Sequence, residues 1–204
     1  MSKKDVPAIV SAMGVLMSLL DGLVKVVRAA GGTMGDLYWL VTPEGEGLLV
    51  KIGRLVAEAR RIFSVNRAQL FDPVKFLGPG WSIEEQDKRA LALTELDLTQ
   101  VRLANVLKER ETAITGGEKL SRLKKAGYIR LDAKVFQILW ENQALIPKSW
   151  KGSIVDFDGT VLRHPSGNRC VLALYWRDGQ WYLRYNWLSN AWDISGPSAV
   201  LVAA

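Results

Sequence analysis

One cysteine and one histidine are present among the 204 residues. A single thiol cannot build an intramolecular disulfide framework, and one histidine with one cysteine cannot supply the four ligands of a structural zinc site. A Ser-His-Asp triad would have to use His164, which lies between Arg163 and Pro165 in an expected surface turn with no partner nearby. Cys170 falls on the inward face of an expected strand, as a buried, inert thiol. A glycine-rich phosphate loop is absent as well, because Gly78-Pro79-Gly80 lacks a following Lys-Ser/Thr. No catalytic residue, metal ligand or cofactor is therefore assigned.

Charge of one sign is not concentrated either. Residues 1–70 hold 9 basic and 6 acidic groups, residues 71–150 hold 13 and 11, and residues 151–204 hold 5 and 4. No nucleic-acid arm stands out at that scale, so the net charge of +6 suits mild polyanion affinity without arguing for it. Long apolar runs are missing too. The longest, Val6 to Leu20, is 15 residues, where about 20 are needed to span a bilayer. Its apolar residues recur at helical spacing through Val27, so a packing helix is expected ahead of a membrane-surface helix or a signal peptide. The expected location is the cytoplasm.

What the chain does have is a hydrophobic content of 49%, enough for a core. Residues 1–65 read as helical. Gly31-Gly32 ends the first helix, Asp36 to Val41 is a short apolar stretch, and Thr42-Pro43-Glu44 opens another helix. Asp72-Pro73 and Gly78-Pro79-Gly80 mark residues 66–80 as a linker. Residues 81–150 read as mixed. A strand is expected over Ala90–Leu98, a helix from Thr99 through Leu107, a helix over Glu118–Ala126 closed by Gly127, an extended Tyr128-Ile129-Arg130, and a helix capped by Asp132.

Residues 151–204 read as a small antiparallel β-meander. Asp158-Gly159 and Asp178-Gly179 each lie between apolar runs and signal two-residue hairpin turns. With Asp178-Gly179 as the loop, Arg177 pairs with Gln180 and Cys170 with Trp187. One face then carries Cys170, Leu172, Leu174, Trp176, Trp181, Leu183, Tyr185 and Trp187, and is expected to be core. The other carries Val171, Ala173, Tyr175, Tyr182, Arg184 and Asn186.

Three features bear on function. Asp156-Phe157-Asp158-Gly159-Thr160 resembles the first motif of the haloacid-dehalogenase-like phosphatases. That chemistry also needs a downstream Ser/Thr, a lysine and a further acidic pair on a doubly wound sheet. After Thr160 there is no lysine, and Asp178 and Asp193 are the only acids, so the Asp-Gly pair is read as a hairpin turn. The second feature is the basic set Lys119, Arg122, Lys124, Lys125 and Arg130, whose helix-then-strand setting is similar to a winged-helix recognition element. The third is the aromatic load of the last segment, where Tyr175, Tyr182, Arg184 and Asn186 share the outward face and Trp192 follows on a loop.

From Phe71 onward the chain resembles an uncharacterised, paralogous protein family of small-genome candidate-phylum bacteria. The resemblance rests on Phe71-Asp72-Pro73, Gly80-Trp81-Ser82-Ile83, Leu131-Asp132-Ala133-Lys134-Val135-Phe136 and Leu139-Trp140-Glu141-Asn142-Gln143. It continues through Leu145-Ile146-Pro147, Ser149-Trp150-Lys151, Phe157-Asp158-Gly159-Thr160 and Pro197-Ser198-Ala199-Val200-Leu201. In that family the position of Asp156 is often not acidic, and the resemblance implies no activity. The expectation is thus an α+β, non-enzymatic interaction protein. It would meet an unknown protein partner through Tyr175, Tyr182, Arg184, Asn186 and Trp192, with nucleic-acid binding through the basic helix as the alternative.

Overall fold

The computed structural model describes residues 5–59 and 61–202. They fall into two units divided between residues 59 and 60, and the architecture is α+β.

The first unit is helical. Helix α1, Asp5–Ala29, stops where Gly31 turns to φ +83°, a left-handed geometry that costs glycine nothing. Asp36 accepts hydrogen bonds from the Thr33 N–H (2.6 Å) and hydroxyl (2.9 Å), which fixes the start of α2, Met34–Trp39. The apolar stretch expected at Asp36–Val41 is therefore largely helix. Helix α3, Glu46–Ala59, begins later than Thr42, because residues 43–45 first form a turn. Gly45 is needed there, since a Cβ would lie 2.1 Å from the Trp39 carbonyl oxygen. It is also the only buried residue described in this unit. Met17, Val26, Tyr38 and Leu55 are all more than 60% exposed. Among the described residues no helix is long and apolar enough to cross a membrane.

The second unit runs through strand β1 (Ile62–Ser64), helix α4 (Pro73–Leu77), β2 (Ser82–Gln86), helix α5 (Lys88–Leu91), β3 (Glu95–Asp97), β4 (Arg102–Ala104) and β5 (Ala113–Thr115). Helix α6 (Gly116–Lys125), β6 (Ile129–Arg130) and helix α7 (Ala133–Glu141) follow. The chain then forms β7 (Ile154–Arg163), β8 (Arg169–Arg177), β9 (Gln180–Trp187), β10 (Ala191–Asp193) and β11 (Ser198–Leu201). The main sheet has the order β4-β11-β7-β8-β9, with β2 also paired to β7 and β6 to β11. Its pairs are antiparallel except β7 with β11, which is parallel.

The β8–β9 hairpin forms in the expected register, from Arg177–Gln180 through Cys170–Trp187. Asp178 and Gly179 have φ of +48° and +83°, as a two-residue turn matched to strand twist requires. Phe157, Leu172 and Leu174 face α7, where Val135, Phe136 and Leu139 complete the main core. Cys170 lies in that core, and burial pushes its thiol up to about 12. The opposite face is also covered at one end. Val161 and Val171 meet Leu120, Leu188 and Trp192 in a second cluster.

Several expectations are corrected. Asp158-Gly159 is no hairpin turn, because β7 runs straight through it and the reversal comes later, between Arg163 and Arg169. The consecutive strands β7, β8 and β9 still form an antiparallel meander, to which β11 returns parallel to β7. Glycine serves close approach here. The Gly159 N–H donates to the Leu131 carbonyl and its own carbonyl accepts from Asp87 N–H, both at 2.8 Å. A Cβ at Gly159 would sit 2.1 Å from the Arg130 carbonyl oxygen. Opposite β8, residues 158–161 face Val171 alone, so β7 bulges away and pairs instead with β2.

The Thr99 helix is replaced by β4, since pairing of Leu103 with Ala199 outweighs weak helical spacing. The strand expected over Ala90–Leu98 is the end of α5 followed by β3. The expected 66–80 linker is part of the second unit. Phe71 is buried, and Arg67 bonds Asp132 and the Ala90 carbonyl, each at 2.6 Å. His164 is half-buried rather than solvated, with its ring edge-on to Trp81 (4.7 Å) and Trp187 (5.1 Å).

Gly159→Ala should destabilise the second unit by about 3 kcal/mol or more, because backbone rather than a flexible side chain blocks the new methyl. Chemical denaturation measures this. A loss below about 1 kcal/mol would show that the loop at Arg130–Leu131 yields easily.

Candidate functional site

Two carboxylates stand within the largely apolar β7, and both are fully buried. Asp156 and Asp158 alternate with Phe157, so they turn away from the main core and toward α6. Their counter-charge comes from Lys119. It lies on the buried side of α6 with Leu120 and Leu123, and is only 3% exposed. Its ammonium donates to Asp156 Oδ2 at 2.7 Å and to the Gly196 carbonyl at 2.6 Å, and stands 3.9 Å from Asp158 Oδ2. The Trp192 ring lies 4.7 Å from the same nitrogen. Three elements that are remote in sequence are thus tied to one cation.

Asp156 is further held by Asn186, whose amide NH2 donates to Oδ1 at 2.6 Å. Burial pushes the Asp156 carboxyl up to about 7. Lys119 opposes that rise, the neighbouring Asp158 adds to it, and the hydrogen bonds from Lys119 and Asn186 oppose it. Neither carboxylate oxygen of Asp158 has a hydrogen-bond partner among the described residues, and neither does the Ser198 hydroxyl. Ser198 is aligned with Asp156 across the parallel β7–β11 pair, so its side chain is on the same face.

Fully buried itself, Asp156 backs a cleft of about 160 Å³ between the strands and the 191–196 segment, lined also by Arg184, Asn186, Trp192, Asp193 and Ser195. Asp193 organises that segment by accepting from the Ser195 N–H (2.8 Å) and hydroxyl (2.5 Å). Trp192 is pinned by its indole N–H to the Trp187 carbonyl at 3.0 Å, and packs so closely on Gly116 that a Cβ there would approach it to 2.6 Å. Among the described residues no three His, Cys, Asp or Glu side chains converge as a metal site. The cation beside these carboxylates is the lysine's own.

The structure brings the five expected aromatic-face residues near one another. Arg184, Asn186 and Trp192 line the cleft. Tyr175 and Tyr182 stack at 5.2 Å, and the Arg184 guanidinium is 5.9 Å from the Tyr175 ring. Asn186 and Trp192 are committed inward, however, and Arg184 is the exposed member of the set.

The basic set is divided, with Lys124 and Lys125 exposed and the rest drawn inward. Lys119 is buried, Arg122 pairs with Glu111 and Glu118 (2.5 and 2.8 Å), and Lys124 pairs with Glu85 at 2.8 Å. Arg130 is buried against Asp87 at 3.2 Å and donates to the Asp158 carbonyl at 3.0 Å. Lys125 alone of the five has no carboxylate partner among the described residues.

The Lys119–Asp156–Asp158 cluster was missed by motif matching, although two signals pointed to it. Acids at i and i+2 inside an apolar strand demand a buried cation, and Lys119 adjoins leucines at helical core positions. No family model, no curated protein and no solved structure matches this chain.

Lys119→Met should cost about 3–5 kcal/mol, because it leaves two buried carboxylates unneutralised. The same change in an Asp156→Asn/Asp158→Asn background should cost far less, and equal losses in both backgrounds would show that packing rather than charge is responsible.

The raised Asp156 pKa also sets a pH dependence. The folded state holds this proton more tightly than the unfolded chain. That stabilisation is complete below the ordinary value of 3.8 and is lost as pH rises through about 7. Unfolding free energy should therefore fall across this window, and Asp158→Asn should flatten the fall. Identical slopes in the two proteins would contradict this.

Proposed function

We propose that this chain is a non-enzymatic binding protein of the cytoplasm, where the Cys170 thiol stays reduced. Its contact surface is the β8–β9 face carrying Tyr175, Tyr182 and Arg184, with the adjoining cleft of Asn186 and Trp192. One observation carries the reading. Arg184 is exposed between a tyrosine stack and a cleft, and no carboxylate of the described fold pairs with it. The cations of the basic set are instead mostly paired with acids of the chain, which favours this reading over nucleic-acid binding.

Arginine and tyrosine are the residue types most often found to anchor interfaces, since each adds large planar area and a directed hydrogen bond. Here the tyrosines stand on a hairpin whose partner strand is fixed in register, so little order has to be gained on binding. The partner expected at such a surface is a macromolecule that covers both the stack and the cleft.

Affinity capture from the source organism, with wild type and Tyr182→Ala/Arg184→Ala side by side, tests this. Partners held by wild type should be lost from the variant, as truncation of an anchor typically costs about 2 kcal/mol or more, roughly thirtyfold in affinity. An unchanged partner set, with the variant melting like wild type, would reject the surface.

A further inference from the structure

The cleft beside Asp156 has a composition that narrows the chemistry of what it can hold. Its volume of about 160 Å³ is below the roughly 300–1,000 Å³ of pockets that enclose drug-sized ligands, so it accepts one ring-sized group. Its floor is rich in acceptors. Asn186 and Asp193 supply acceptors to it, while Asp156 lies fully buried beneath and takes the Asn186 NH2, which leaves the amide oxygen unused. The donors stand at the mouth, on the exposed Arg184 guanidinium.

Charge excludes two ligand classes. An ammonium or metal ion on Asp156 would have to approach the Lys119 ammonium, which already occupies Oδ2 at 2.7 Å. An anion entering the cleft would meet the Asp193 carboxylate, with Asp156 behind the wall, so Arg184 alone would have to offset both. A neutral group bearing several hydroxyls meets neither objection, because each hydroxyl can donate to the floor and accept from the mouth. Ile154 and the Trp192 edge supply apolar wall for the C–H face of such a ring.

The surface outside continues the same logic. Tyr182 is four residues from Asn186 on the same face, about 13 Å along the strand. Its ring is stacked with Tyr175, and both tyrosines are part-exposed on the sheet face that carries Asn186. We infer that the cleft is a carbohydrate subsite taking one neutral sugar ring, and that the Tyr175–Tyr182 pair supports further rings of the same saccharide chain. The inference rests on the binding-surface reading above and names its ligand chemistry.

Calorimetric titration of the full chain with cellotriose, chitotriose and maltotriose tests it, with inorganic phosphate and 1,5-diaminopentane as charged counter-probes. At least one trisaccharide should bind saturably, and Arg184→Ala and Tyr182→Ala should each weaken it by about tenfold or more. Both side chains point outward, so these variants should fold, which far-UV circular dichroism and the melting curve check; Asn186→Ala is the more severe test of the floor. Absence of binding by all three sugars at tens of millimolar would overturn the inference, as would saturable binding of phosphate or the diamine alone. Sugar binding indifferent to Arg184→Ala would overturn it too. If partners are lost from Tyr182→Ala/Arg184→Ala in affinity capture but no sugar binds, the surface stands and its saccharide ligand falls.

Discussion

The second unit is organised around a buried ammonium. Lys119 reaches from α6 to Asp156 in β7 and to the Gly196 carbonyl just before β11, so one side chain joins a helix, the central strand and the last connection. A buried charge is tolerable only with close, directed partners. Once the strand carries Asp156 and Asp158, α6 must therefore dock where its lysine can answer them. That docking brings Leu120 onto Val161 and Val171, and it places the 191–196 segment against the strands with Trp192 beside the ammonium. The cleft is a consequence of this arrangement. Asp156 lies buried behind it, held between Asn186 and Lys119.

A second constraint acts from the other flank. Arg130, Leu131 and Asp132 cross β7 at Gly159 with no room for a side chain. Arg130 is paired with Asp87, whose carboxyl burial would push up. The backbone N–H groups of Arg130 and Arg89, with the Arg130 charge, hold it below its ordinary value instead. Asp132 caps α7 and also takes Arg67. The middle of the chain is therefore built on neutralised ion pairs at the edges of a hydrophobic core.

Local patterns in the sequence were legible where one short-range signal dominated. Asp178-Gly179 specified a hairpin whose whole register follows from the turn, and Asp132 and Gly127 marked helix ends through capping and left-handed geometry. The same dipeptide at Asp158-Gly159 misled, because its glycine answers a contact with residues nearly thirty positions earlier in the chain. The Thr99 region failed for a related reason, as the helical spacing over Thr99–Leu107 gave way to pairing with β11 almost a hundred residues away. The outward tyrosine face was readable by alternation. The charge cluster beneath it was not, because no motif links Lys119 to Asp156 and only the fold brings them to 2.7 Å.

The claim at the centre of this account is that Asp156 is a solvent-poor carboxylate held in a charged cluster. Carboxyl carbon-13 NMR of the intact chain, titrated from acid to neutral pH and assigned through Asp156→Asn, observes it directly. The account predicts a midpoint for Asp156 near 7. A midpoint near 3.8, the value of an unburied aspartate, would show that burial does not raise this carboxyl and would contradict the account.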